Sequence, residues 1–228
     1  MRSFRHFLAI DWSGAKGPVQ KGIALALADA GGGPPVLVER GRGWSSGDVL
    51  ALLREDLPDD TLVGMDLGIA LPFADCGAYF PRRDVLLPDA PSLWALIDDI
   101  CAGDPNLGAQ SFVDHPEFAP YFRNGRDTGV QVGKSSLAGM RVLHRLRGHL
   151  PVWPVDLDPG HGSLVVEIYT SLAALESGRS AAKAKMRSFE DLNAALAGLG
   201  SPPVAGRGAI EDHSSDALLT AAWLRRVA

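Results

Sequence analysis

Cysteine is scarce in this chain, with two residues in 228, Cys76 and Cys101. Their number and separation exclude a disulfide framework and a Cys-based metal site, which leaves buried, reduced thiols as the expectation. Long apolar runs are also missing. No uninterrupted stretch approaches the ~18 residues of a membrane span, and Asp11 cuts the N-terminal apolar run too early for a signal peptide. The expectation is a cytoplasmic protein with no membrane partner. A surplus of positive charge is absent as well: 22 Lys and Arg stand against 27 Asp and Glu, a formal net charge of -5. A general nucleic-acid coat draws its affinity from neutralising phosphates, so this balance excludes one and requires any nucleic-acid partner to meet a local basic patch. No internal repeat or low-complexity tract occurs, and no protein partner can be inferred.

What remains is the composition of an ordinary globular protein, 46% hydrophobic and 21% charged, long enough for one elaborated domain over residues 1–228. FLAID (7–11) and KGIALALAD (21–29) read as strands, and the turn-rich SGAKGPVQ between them predicts an antiparallel hairpin. VLVERGRGW continues as a third strand after the GGGPP turn. In SSGDVLALLRED, Ser45 with Asp48 three residues on predicts a capped helix start, and Pro58 ends that helix. TLVGMDLGIALP (61–72) and SLVVEIYTS (163–171) are two further strands. Residues 72–160 between them read as a long, Pro- and Gly-rich insertion with short helices at PSLWALIDDICAG and GKSSLAGMRVLHRLRG. SLAALESG, SFEDLNAALAG (capped by Ser188 with Asp191) and IEDHSSDALLTAAWLRR close the chain as helices. The order predicts an α/β fold, a mixed sheet with helices on its faces.

Three of these strands carry a carboxylate within or at the end of an apolar run: Asp11, Asp66 and Glu167. Asp216 sits near the start of the last helix, one turn after Asp212. If the strands of Asp11 and Asp66 are parallel neighbours, both side chains leave the same sheet end, and a helix crossing that end adds Asp216. Like charges ~4 Å apart repel by about 4 kcal/mol at an effective dielectric of 20, so such a cluster needs protons or cations. All-oxygen donors point to Mg²⁺ or Mn²⁺ rather than zinc. Two such ions clamp the attacking water and leaving oxygen of a phosphodiester. His213, three residues before Asp216, shares its helix face and can move a proton near neutral pH. Competing readings make Asp11 a hairpin residue bonding the SGAKG turn, Glu167 a partner for an arginine of the insertion, Asp212 the N-cap of the last helix and His213 a surface residue.

Phosphate contacts have two candidate sources. Arg123, Arg126, Lys134, Arg141 and Arg145 crowd one segment that holds a single acid, Asp127, and they line a backbone-binding groove or form a solvated helix face. Arg82 and Arg83 follow the strand of Asp66. GVQVGKSS is not a phosphate-cradling loop, because Gly129 and Gly133 enclose three residues where four are needed; Lys134 and Ser135 read as a helix start. DHPEF (114–118) reads as a polar loop.

The succession AIDWSG, GMDLGIALP, VVEIYTS and HSSDALLTAAW resembles the ribonuclease H-like superfamily, in particular a bacterial family of predicted nucleases catalogued as a domain of unknown function. The likeness covers most of the chain: an Asp closing the first strand, a G-x-D-x-x-x-x-L-P segment, a Glu before an aromatic and a small residue, and a D-A-L-x-x-A helix. The spacing of His213 and Asp216 looks like the last acidic motif of RuvC-type junction resolvases. The resemblance implies a five-stranded sheet whose first three strands are antiparallel, metal-binding roles for Asp11, Asp66 and Asp216, and a Mg²⁺- or Mn²⁺-dependent nuclease acting on RNA or DNA. Trp12 and Ser13 stand where that family often has glycines, and a minimal ribonuclease H lacks the insertion. Two rivals are an actin- or sugar-kinase-like phosphotransferase, disfavoured because no second D-x-G-like unit occurs in the later half, and a non-catalytic ribonuclease H-like binding protein.

Overall fold

The structure is a computed structural model and describes residues 3–15, 17–73, 77–81, 86–123, 128–180 and 185–228. Cys76, Arg82, Arg83 and Arg126 lie outside the described residues, as do the side chains of Arg123 and Lys134.

Six strands form one mixed sheet: β1 (His6–Asp11), β2 (Ala24–Asp29), β3 (Val36–Leu37), β4 (Thr61–Met65), β5 (Val152–Trp153) and β6 (Leu164–Glu167), in the order β3-β2-β1-β4-β6-β5. The first three pair antiparallel, whereas β1–β4, β4–β6 and β5–β6 are parallel. The expected hairpin is present, with Asp11 opposite Ala24. The strand count of five is corrected to six, because the two-residue β5 is too short to show any periodicity in sequence. The expected third strand shrinks to Val36–Leu37. Beyond it, Arg40 and Arg42 turn aside to pair with the buried carboxylate of Asp48.

Two helical layers cover the sheet. On one face Leu8, Ile10, Val63, Met65 and Val165 pack against α2 (Ala90–Ile100) and α5 (Thr128–Leu146) in one buried cluster. Helices from residues 72–160 therefore supply most of this layer of the core, with Trp44, Val49 and Leu53 beside them. Between these two helices run α3 (Gln110–Asp114) and α4 (Ala119–Arg123). Helix α5 begins at Thr128, so Lys134 and Ser135 lie inside it instead of at its start. On the other face Phe7, Ala9, Ala24, Ala26 and Leu62 pack against α8 (Asp212–Val227), with α6 (Thr170–Glu176) and α7 (Phe189–Gly198) alongside. The small residues beneath α8 let it approach closely: a Cβ on Gly64 would meet Leu224 and Ile168 at 2.8 Å.

Both predicted caps form. Ser45 Oγ accepts from the amide of Asp48 at 3.1 Å while Asp48 Oδ2 accepts from the amide of Ser45 at 3.1 Å, starting α1 (Ser46–Ala51). Helix α1 runs into a π-helical turn, Leu52–Asp56, before the chain reaches Pro58. Ser188 caps α7 through the amide of Asp191. The cap of α8 differs: Glu211 holds the N-cap position and Asp212 is the first helical residue, which frees its carboxylate for another task. Among the described residues no helix is long and apolar enough to cross a membrane.

Candidate active site

Strand alternation decides which carboxylates meet. Successive side chains point to opposite faces of a strand. In β1, Leu8 and Ile10 join the α2–α5 face and Phe7 and Ala9 the α8 face, so Asp11 emerges towards α8. In β4, Val63 and Met65 join the α2–α5 face, and Asp66 next in line falls on the α8 side. The amide of Asp66 donates to Ile10 O at 2.9 Å, which fixes the two parallel strand ends together. Helix α8 crosses that end and contributes Asp212, His213 and Asp216.

The resulting cluster is built from separate anchors. Asp11 is 6% exposed, and its Oδ2 accepts from His213 Nδ1 at 2.7 Å. A carboxylate can only accept, so this contact places the imidazole proton on Nδ1 and leaves Nε2 facing outwards. Nε2 lies against Gly22 and Ser13: a Cβ on Gly22 would sit 3.3 Å from Nε2 and 2.8 Å from Ser13 Oγ. Asp66 Oδ2 accepts from Thr170 Oγ1 at 3.0 Å. Asp212 pairs with Lys185 through Oδ2, while its Oδ1 is buried without a hydrogen-bond partner.

The electrostatics are those of crowded acids. Burial raises the Asp216 carboxyl to about 7; repulsion from Asp11, Asp212 and Asp66 adds to it, and Lys185 opposes it. Burial likewise raises Asp11 to about 6 against the pull of His213, with Asp66 and Asp212 adding to the rise. Asp66 is raised for the same first reason, and its bonds from Thr170 work against the shift. Two cation-forming side chains, His213 and Lys185, stand among four carboxylates.

Glu167 has a different position. Its strand partner is Met65, so alternation turns it to the α2–α5 side, and its Oε2 accepts from the amide of Ile69 at 3.0 Å. Ser136 Oγ takes the amide of Gly68 at 2.9 Å, and Trp94 Nε1 donates to Ile69 O at 2.6 Å. Glu167 is thus one of three clamps on the loop that carries Asp66, and its charge adds to the rise of the Asp66 carboxyl. Trp12 does similar work after Asp11, its buried indole donating to Ser135 O at 3.1 Å.

Within the basic segment, Arg141 and Arg145 are both tied to Asp98 of α2. Arg141 is fully buried and bonded to Asp98 at 2.8 Å and to Gly108 O at 2.6 Å. It joins α5 to α2 and to the loop after α2, and it cannot reach a substrate. Arg145 shares the Asp98 carboxylate at 3.1 Å. Asp212 and Lys185 are the site residues that sequence reasoning missed; Asp212 reads as a cap, and Lys185 has no local motif.

Hard oxygen donors, raised carboxyls and the orphaned Asp212 oxygen fit a divalent cation chemically. Among the described residues, however, no group of three His, Cys, Asp or Glu side chains is placed to hold a metal ion as the side chains stand. Compared with protein-family models, curated proteins and solved structures, the chain matches none.

Proposed function

We propose that the protein is a divalent-metal-dependent nuclease of ribonuclease H-like architecture, hydrolysing a nucleic-acid phosphodiester by the two-metal route. The observation that carries the reading is the convergence of Asp11, Asp66, Asp212 and Asp216 from β1, β4 and α8 on one sheet end, with too little positive charge to balance them. The antiparallel pairing of the first three strands, which the sequence resemblance implies, supports the reading. Asp11, Asp66 and Asp216 are the residues that would hold Mg²⁺ or Mn²⁺, which supplies charge neutralisation and an activated water at the scissile phosphate.

The chain's own residues do the rest. Thr170 holds Asp66 in one orientation, and Glu167, Ser136 and Trp94 fix the loop beneath it. Asp11 orients His213 so that Nε2 can accept or deliver a proton at the rim of the site. Lys185 occupies Asp212 and is positioned to exchange that carboxylate for a phosphate oxygen of the substrate.

The test is cleavage of labelled RNA, DNA and branched-junction substrates with Mn²⁺ and with EDTA. Mn²⁺-dependent products are expected from the wild type and none from Asp11→Asn or Asp216→Asn, both folded by circular dichroism. Cleavage by Asp11→Asn at the wild-type rate overturns the assignment.

A further inference from the structure

The opposite end of the parallel strands carries a second polar cleft. It measures about 320 Å³ and opens between the π-helical turn, His149–Pro151 and the segment that leads into β6. Arg54, His149 and His161 line it, with Glu55 as its carboxylate and Leu53 and Leu57 as apolar wall. A neighbouring cavity of about 360 Å³ shares His149, Leu150, Pro151 and Pro159 with it and extends to Leu157, which is 93% exposed.

Three features point to a ligand. π-helical turns are rare and concentrate at functional sites, and this one directs Arg54 to His149, Nη2 to Nε2 at 3.0 Å. Among the described residues Arg54 forms no ion pair with a carboxylate, although Glu55 lines the same cleft. The guanidinium donates to an imidazole instead, while His161 is oriented by donating from Nδ1 to Pro159 O at 2.9 Å. Finally, each cavity falls within the ~300–1,000 Å³ typical of small-molecule sites; the first is polar, with Arg54 beside Glu55, and the second sets Leu150, Pro151, Leu157 and Pro159 beside Asp156.

We propose that this double cleft binds a phosphomonoester with a flat organic body. The phosphate sits between Arg54, His149 and His161, where the planar fork of arginine matches phosphate oxygens. The organic body lies against Leu150, Pro151, Pro159 and Leu157. The site is separate from the carboxylate cluster: the five residues of β4 span about 16 Å at ~3.3 Å per residue.

Isothermal titration calorimetry of the full chain with phenyl phosphate, inorganic phosphate and phenol tests the proposal. Phenyl phosphate is expected to bind, inorganic phosphate to bind more weakly, and phenol to give no heat. Arg54→Gln and His149→Gln each weaken phenyl phosphate about tenfold or more, the loss of a charge-assisted hydrogen bond. Leu157→Ser weakens phenyl phosphate and leaves inorganic phosphate unchanged. All three side chains are exposed, so the variants keep the wild-type melting temperature. Asp11→Asn binds phenyl phosphate as the wild type does, so failure here and failure of the nuclease assignment are read separately. Absence of heat with phenyl phosphate, equal affinity in Arg54→Gln, or phenol binding as tightly as phenyl phosphate overturns the proposal.

Discussion

His213 Nδ1 lies 2.7 Å from Asp11 Oδ2 although 202 residues separate the two in the chain. The contact joins the end of β1 to the first turn of α8 and makes one histidine answerable to the most buried acid of the site. Gly22 guards its other nitrogen. A Cβ there would stand 2.7 Å from Ser13 Cβ and 3.3 Å from His213 Nε2. Gly22→Ala is therefore expected to displace both side chains and to lower any Mn²⁺-dependent cleavage about tenfold or more, while the melting temperature drops by only a few degrees. Parallel rate and melting measurements check this; an unchanged rate contradicts it.

The raised carboxyls set a pH dependence of stability. Asp11 and Asp216 rise from the ordinary 3.8 to about 6 and about 7, so the folded chain keeps protons that the unfolded chain gives up from about pH 4 upwards. Stability from these groups is complete below pH 4 and is lost as pH climbs through 6 and 7. In EDTA the melting temperature should fall between pH 5 and pH 8. Asp216→Asn should flatten the upper part of that fall and melt above the wild type at pH 8. A variant that melts below the wild type at pH 8 shows that the repulsion is absent.

Metal should reverse the penalty. At 100 times its dissociation constant, Mn²⁺ adds about 2.7 kcal/mol to the wild type. In a thermal-shift titration at pH 7.5, this rise is expected to disappear in Asp11→Asn and in Asp216→Asn. Arg54→Gln, at the far end of the strands, should retain it.

Arg141 and Arg145 are one helical turn apart and share Asp98, yet their truncations should differ sharply. Arg141 is fully buried and Asp98 only 17% exposed, so Arg141→Ala removes the buried half of the pair, strands Gly108 O and opens a cavity, and should cost about 3–5 kcal/mol. Arg145 is 38% exposed, and Arg145→Ala should cost less than about 1 kcal/mol. Urea unfolding of both variants measures the difference.

Local chemistry carried much of this architecture in readable form. Ser45–Asp48 and Ser188–Asp191 announce their helices because each cap is completed within four residues. The carboxylates of Asp11 and Asp66 stand out because they interrupt apolar strands, and the parity of those strands turns both towards α8. Long-range pairing was hidden. Arg141 looks like part of a basic face until Asp98, 43 residues away, takes its guanidinium inside. Glu167 shares the strand-end pattern of Asp66, but one residue of register sends it to the opposite face. Asp212 sits where a cap belongs, and only the position of Glu211 shows that α8 starts one residue earlier than a capping Asp212 requires.

The laying of α8 across β1 has a consequence for how the protein is made. A ribosome releases β1, with Asp11, long before it reaches His213 and Asp216. Until those residues emerge, Asp11 and Asp66 stand without the carboxylates and the histidine that α8 lays against them.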